Sequence, residues 1–162
     1  MLKNRKQGFS TVEVMTALFI LSLTFLVVSE ASERSLVVAE ENLRQAQANF
    51  LLEEGLEVAR LWRDDNWFNL ADLTLGVDYY LDFVGGRWVS SLSPYPAGAG
   101  NLYDIFTRRF ILSAVNRDLT SHNIVTIGGS PDPDIKKIEM TVSWQFHGSP
   151  RSKSLSTYLV KI

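Results

Sequence analysis

Residues 1–30 read MLKNRKQGFSTVEVMTALFILSLTFLVVSE, and this stretch decides how the remainder of the 162-residue chain is organised. A leader carrying Lys3, Arg5 and Lys6 ends in Gly8. Phe9 follows, Glu13 stands at the edge of an apolar run, and the next charge is Glu30. The run from Val14 to Ser29 is 16 residues long. Adding Phe9–Val12 brings it near the ~20 residues that cross a bilayer core as a helix. A secretory signal carries a small-residue cleavage site after its apolar stretch. Here Glu30-Ala-Ser-Glu-Arg follows instead, with no Ala-x-Ala pattern. The basic leader predicts a cytoplasmic amino terminus and an exported carboxyl-terminal body. A carboxylate inside such a segment costs about 2.5–3.5 kcal/mol on insertion scales. Glu13 therefore either reaches the headgroups or has a functional partner.

Composition agrees with one folded body behind this segment. Apolar residues make up 46% and charged residues 21%, outside the range of disordered chains. Setting aside the three leader cations leaves 13 basic against 18 acidic residues, a balance of −5. A mildly acidic body argues against nucleic acid as the partner of the whole surface. No cysteine is present, which removes disulfides, thiolate metal sites and a cysteine nucleophile.

The order Lys6-Gln-Gly-Phe-Ser-Thr-Val-Glu-Val-Met15 resembles the cleavage and methylation motif of type IV pilin precursors, minor pilins and type II secretion pseudopilins included. The motif joins a short basic leader, a glycine, an aromatic first mature residue, and a glutamate as the fifth mature residue. The resemblance implies cleavage by a prepilin peptidase between Gly8 and Phe9, and N-methylation of Phe9. It gives Glu13 the role of an assembly register, paired with the Phe9 ammonium of a neighbouring subunit. Val14, Met15, Leu18, Phe19, Leu21, Phe25 and Leu26 would serve membrane lipid first and a filament core afterwards.

The implied fold is α+β and pilin-like, with a long amino-terminal helix whose second half packs on an antiparallel β-sheet. The implied organisation is a leader (1–8), a transmembrane or filament-core half-helix (9–29), an amphipathic half-helix (30–67) and an exported sheet region (68–162). The implied function is a structural subunit of a type IV pilus, of the minor-pilin kind, and not an enzyme. The alternatives are a pseudopilin of a secretion or DNA-uptake machine and a membrane-anchored binding module that never polymerises. The implied partners are other subunits, the prepilin peptidase, a membrane assembly platform and membrane lipid. The implied location is the bacterial cytoplasmic membrane, then a cell-surface pilus or pseudopilus. No cofactor is implied.

The helical pattern extends from Phe9 to about Asp64, roughly 84 Å at ~1.5 Å per residue. Leu36, Ala39, Leu43, Ala46 and Phe50 form one stripe; Leu52, Leu56 and Ala59 form a rotated one, with Leu51, Val58 and Trp62 beside them. The second half is thus an amphipathic helix with one face for a core; a coiled coil is the alternative, but the stripe widens and drifts after Phe50, which suits packing against a sheet better. Many pilins carry a proline in the first half of this helix, where this chain has Glu30-Ala31. The resemblance therefore leaves a kink open, and Ser29 and Ser32 soften the region only weakly. Gly55 costs about 1 kcal/mol in a helix interior relative to Ala, which predicts close approach of the sheet there.

Beyond Trp67 the period changes. Strands are expected at Asp78–Val84 and Arg87–Leu92, joined by a Gly85-Gly86 turn, and at Tyr103–Val115. Ser93–Asn101 reads as a loop, and Asn116–Asp134 as an irregular connection holding a short strand at Ile124–Ile127. Ile135–Phe146 alternates apolar and polar five times over, a half-buried strand. Gly148–Arg151 then turns into Leu155–Ile162.

Chemistry-bearing constellations are sparse. His122 and His147 have no ligand-spaced companions. Asp132 and Asp134 are weak candidates for a calcium site of the kind some pseudopilins have, but supply too few of the six to eight oxygens calcium takes; a turn fits better. Arg108-Arg109, Lys136-Lys137 and Arg151 with Lys153 would be the basic patch for DNA. Strand alternation splits each adjacent pair across two faces, which favours solvated surface.

Overall fold

The computed structural model describes residues 10–92, 101–102 and 105–162. Gly8 and Phe9 lie outside the described residues, as does most of the expected loop 93–101. The elements run α1 (Thr11–Asp65), α2 (Phe68–Ala71), β1 (Asp78–Val84), β2 (Arg87–Ser91), β3 (Asn101–Leu102), β4 (Phe106–Arg117), β5 (Ile124–Val125), β6 (Ser130–Phe146) and β7 (Ser149–Val160). The architecture is the expected α+β layout of a long amino-terminal helix and an antiparallel sheet. The chain divides into two compact units, Met1–Leu43 and Arg44–Ile162.

In the first unit the described residues belong almost entirely to α1. The helix is continuous through Ser29–Ser32, with no break where the serines stand.

In the second unit, α1 from Arg44 to Asp65 supplies one wall of the core. Ala48, Leu51, Leu52, Gly55, Leu56, Val58 and Ala59 are buried. The stripe through Leu36, Leu43 and Phe50 is not the core face, because these residues are 71%, 56% and 70% exposed. Both stripes have helical spacing, and spacing alone does not say which one meets a sheet. Gly55 is buried against Met140 of β6. A Cβ on it would lie 2.7 Å from Met140 Cε and 2.9 Å from its Sδ. A larger side chain there would force the end of the Met140 side chain of β6 to shift, which accounts for a helix-weakening residue in mid-helix.

The sheet runs β2-β1-β4-β6-β7, with β3 and β5 added to β4, and every pairing is antiparallel. Phe106, Phe110, Leu112, Ile138, Met140, Val142, Trp144 and Phe146 join the helix residues in one apolar cluster. Trp62 on α1 packs its ring 5.9 Å from Phe110, and Tyr79 on β1 stacks on the same ring at 5.5 Å. Met140 opposes Phe110, and Ile138 opposes Leu112, so the alternation read in β6 meets the same parity in β4.

Several strand limits differ from the sequence expectation. β6 begins at Ser130, so the segment read as irregular is partly strand. Pro131 and Pro133 fit there because β7 reaches only to Ile135, leaving that stretch of β6 paired on the β4 side alone. The β6–β7 turn is His147-Gly148, with φ of 46° and 75°, and Ser149-Pro150-Arg151 already pair with β6. Pro150 is tolerated because β7 is an edge strand. The β1–β2 turn is Gly85-Gly86, with φ of 60° and 82°, as a two-residue hairpin requires.

Arg108 overturns the reading of the Arg108-Arg109 pair as solvated surface. Alternation does place the two on opposite faces, but Arg108 shares parity with Phe106, Phe110 and Leu112 and is fully buried. Its Nη1 donates to Leu51 O at 3.0 Å and to Glu54 Oε2 at 2.5 Å, both on α1. The guanidinium carbon lies 5.2 Å from the centre of the Trp88 ring. Its Nε and Nη2 have no hydrogen-bond acceptor among the described residues. Arg109, on the wet face, pairs with Asp78 at 2.7 Å.

Candidate functional site

The amino-terminal half of α1 is the segment most unlike an ordinary globular surface. Ser10 precedes the helix, and its carbonyl accepts from Glu13 N at 3.0 Å and Val14 N at 3.1 Å. Glu13 is thereby fixed in the first turn, where the positive end of the helix dipole favours a carboxylate. Its side chain is exposed and makes no ion pair among the described residues. Beyond it, eleven large apolar side chains from Val14 to Val28 are 46–70% exposed. Val14, Met15, Leu18, Phe19, Leu21, Phe25 and Leu26 are all among them. Each such side chain is worth about 1.5–3 kcal/mol when fully removed from water, so water is the wrong medium for this surface. The helix is long and apolar enough to cross a membrane, and its most apolar stretch is not buried.

Three hydroxyls within the apolar run, and Ser32 just beyond it, bond back to their own helix. Thr16 Oγ1 donates to Glu13 O, Ser22 Oγ to Phe19 O, Thr24 Oγ1 to Leu21 O and Ser32 Oγ to Val28 O, at 2.8–2.9 Å. A polar side chain that bonds back to its own helix presents no unmet donor to an apolar surrounding. The apolar stretch ends at Glu30, whose carboxylate pairs with Arg34 at 2.5 Å, one turn on. Glu13 is thus the one charged group within the span. Its expected partner is the Phe9 ammonium of a neighbouring subunit, and the chain's own Gly8 and Phe9 lie outside the described residues.

The remaining candidates are accounted for by local structure. Asp132 receives Arg117 Nε at 2.7 Å and Asp134 N at 3.0 Å. The bond from Arg117, with that from Asp134 N, holds the Asp132 carboxyl below the ordinary Asp range. Asp134 has Lys161 Nζ at 3.7 Å. Both acids are therefore engaged with cations, as suits a strand entry. Among the described residues, no group of three or more His, Cys, Asp or Glu side chains is placed to hold a metal ion. Asp118 closes the turn before His122: its Oδ1 accepts from Ser121 N, Ser121 Oγ and Thr120 N at 2.7–3.0 Å. These bonds, the one from Ser121 N foremost, lower its pKa. His122 and His147 both have positive φ, 56° and 46°, and serve as turn residues. Lys153 Nζ donates to Asn49 Oδ1 at 3.1 Å, tying β7 to α1.

Sequence reasoning located the apolar segment and Glu13 but missed Arg108. The signal was available in the shared parity of Arg108 with three apolar residues of its own strand. Comparisons with protein-family models, curated proteins and solved structures gave no match to this chain.

Proposed function

We propose that the chain is a pilin-like structural subunit, made as a precursor, cut between Gly8 and Phe9 and methylated on the new amine. It is held in the cytoplasmic membrane by α1 and then assembled through that helix into a filament of the type IV pilus kind. One observation carries the reading: the charge-free surface of α1 between Glu13 and Glu30, exposed on all sides, with Thr16, Ser22 and Thr24 donating to their own helix. Such a surface suits exchange of lipid for other apolar helices, because neither medium has to satisfy a charge along it. The motif Gly8-Phe9-Ser10-Thr11-Val12-Glu13 supports the processing step. The α+β body behind the helix supports the kinship with pilins.

Glu13 and the Phe9 ammonium of a neighbour would neutralise each other inside the filament. Such a buried pair sets register more than it adds net stability. The test is mass spectrometry of the mature chain together with shearing of filaments from cells. The expected product starts at N-methyl-Phe9 and is recovered in the sheared fraction. A chain that keeps Met1 and stays wholly with the membrane refutes the proposal.

A further inference from the structure

A groove of about 770 Å³ opens beside β2, within the Arg44–Ile162 unit. One wall is Leu61, Trp62 and Asp65 of α1 with Asn69 of α2; the other is the continuous strip Gly86 to Ser90. β2 is an outer strand of the sheet and pairs only with β1 among the described residues. Its register fixes which backbone groups face the groove. In a two-residue hairpin, the residues flanking the turn form a hydrogen-bonded pair, here Val84 and Arg87. Bonded and non-bonded pairs alternate, so Val89 bonds Asp82, while Trp88 and Ser90 turn their N–H and C=O outward.

We propose that this groove binds an extended segment of a partner protein, which adds to β2 as an antiparallel strand. The occupant must be extended, because Trp88 and Ser90 offer two donors and two acceptors at strand spacing, which only another strand meets in succession. Its side-chain chemistry follows from the pleat. Trp88 packs against the core on the helix side of the sheet. Partner residues opposite Trp88 and Ser90 point to that same side, toward Trp62 and Leu61, and are apolar. Leu61 is 60% exposed and gains most from such cover. The residue opposite Arg87 points to the other side. Arg87 points to that side and makes no ion pair among the described residues, so the residue opposite it is acidic, and the matching segment reads apolar-x-apolar-acidic. The surface is independent of the filament reading, since no residue of the first unit contributes to it.

The probe is Ac-Ser-Val-Thr-Phe-Glu-Thr-NH2, titrated into the full chain in detergent micelles and followed by amide NMR. Binding should shift the Trp88 and Ser90 amides and slow their hydrogen exchange. The same peptide N-methylated at Val and Phe loses both donors toward β2 and should bind at least about tenfold more weakly. Ser90→Pro removes an outward N–H without touching the β1 pairing and should weaken binding similarly. Arg87→Glu should weaken it while favouring a Lys-for-Glu peptide. No binding at millimolar peptide, equal binding of the N-methylated peptide, or shifts confined to the β7 edge each overturn the proposal. The N-methylated arm keeps the test decisive if Ser90→Pro does not fold.

Discussion

Replacing Arg108 with Met should leave the folded unit as stable as before or stabilise it by about 1–2 kcal/mol, whereas Glu54→Gln should destabilise it. The side chain is fully buried, and only one of its three nitrogens has partners among the described residues. Met gives up the bond to Leu51 O, worth about 1 kcal/mol. It gives up the pairing with Glu54, which is 49% exposed; that discounts the pair to about 1 kcal/mol. It also gives up the stacking on Trp88, about 1–2 kcal/mol. Against these losses stand the several kcal/mol needed to desolvate a guanidinium and about 1–3 kcal/mol for each buried donor without an acceptor. Met fills much of the same volume and brings neither cost. Glu54→Gln keeps the buried cation and removes the charge that compensates it, for an expected loss of about 1–3 kcal/mol after allowing for exposure. Urea unfolding of the full chain in mild detergent measures this directly. All four tryptophans lie between residues 62 and 144, so fluorescence reports the folded body alone. A loss above about 3 kcal/mol for Arg108→Met would show that Arg108 is fully satisfied and that the reasoning is wrong.

Four further outcomes are expected. Glu13→Val should leave cleavage intact and reduce recovery in sheared filaments, and normal incorporation would remove Glu13 from assembly. Gly55→Val should destabilise by about 2–4 kcal/mol through overlap with Met140, and Met140→Ala in the same chain should recover part of it in a double-mutant cycle. Gly129→Ala should cost at least about 2 kcal/mol: φ is 74°, and a Cβ would stand 2.4 Å from Arg117 O, a backbone atom that cannot swing aside. Asp118 and Asp132 have lowered pKa values in the fold. Their contribution is present above the ordinary value of 3.8 and is lost as pH falls below it. Asp132→Asn should flatten the acid limb of the stability–pH curve, and an unchanged limb would exclude the Arg117 contact as its source.

The helix, its apolar beginning and the half-buried β6 were legible because each rests on a strong period carried through many residues. The phase of the amphipathic half was not. Leu36, Leu43 and Phe50 keep helical spacing as well as Leu52, Leu56 and Ala59 do, and only the position of the sheet decides which stripe is covered. Strand ends were misread where proline occurs. Pro131 and Pro150 look like breakers until one knows that a free edge runs beside each of them. Alternation split the Arg108-Arg109 pair across two faces, but the face of Arg108 is the one that carries Phe106, Phe110 and Leu112. Gly55 was the reverse case: a residue that weakens a helix was read as a contact, and Met140 supplies it.

The internal hydrogen bonding of the first helical half has a mechanical consequence. Between Val14 and Val28 the surface carries no charge and its three hydroxyls donate to their own helix, so a neighbouring apolar helix would feel mainly dispersion and shape along it. Sliding by a fraction of a turn then meets shallow barriers, and height is not encoded along the shaft. In the proposed filament it would be encoded at the two ends, by the carboxylate of Glu13 and by the Glu30–Arg34 pair. A segment built this way behaves like a greased rod with a stop at each end, free to travel until a charge finds its seat.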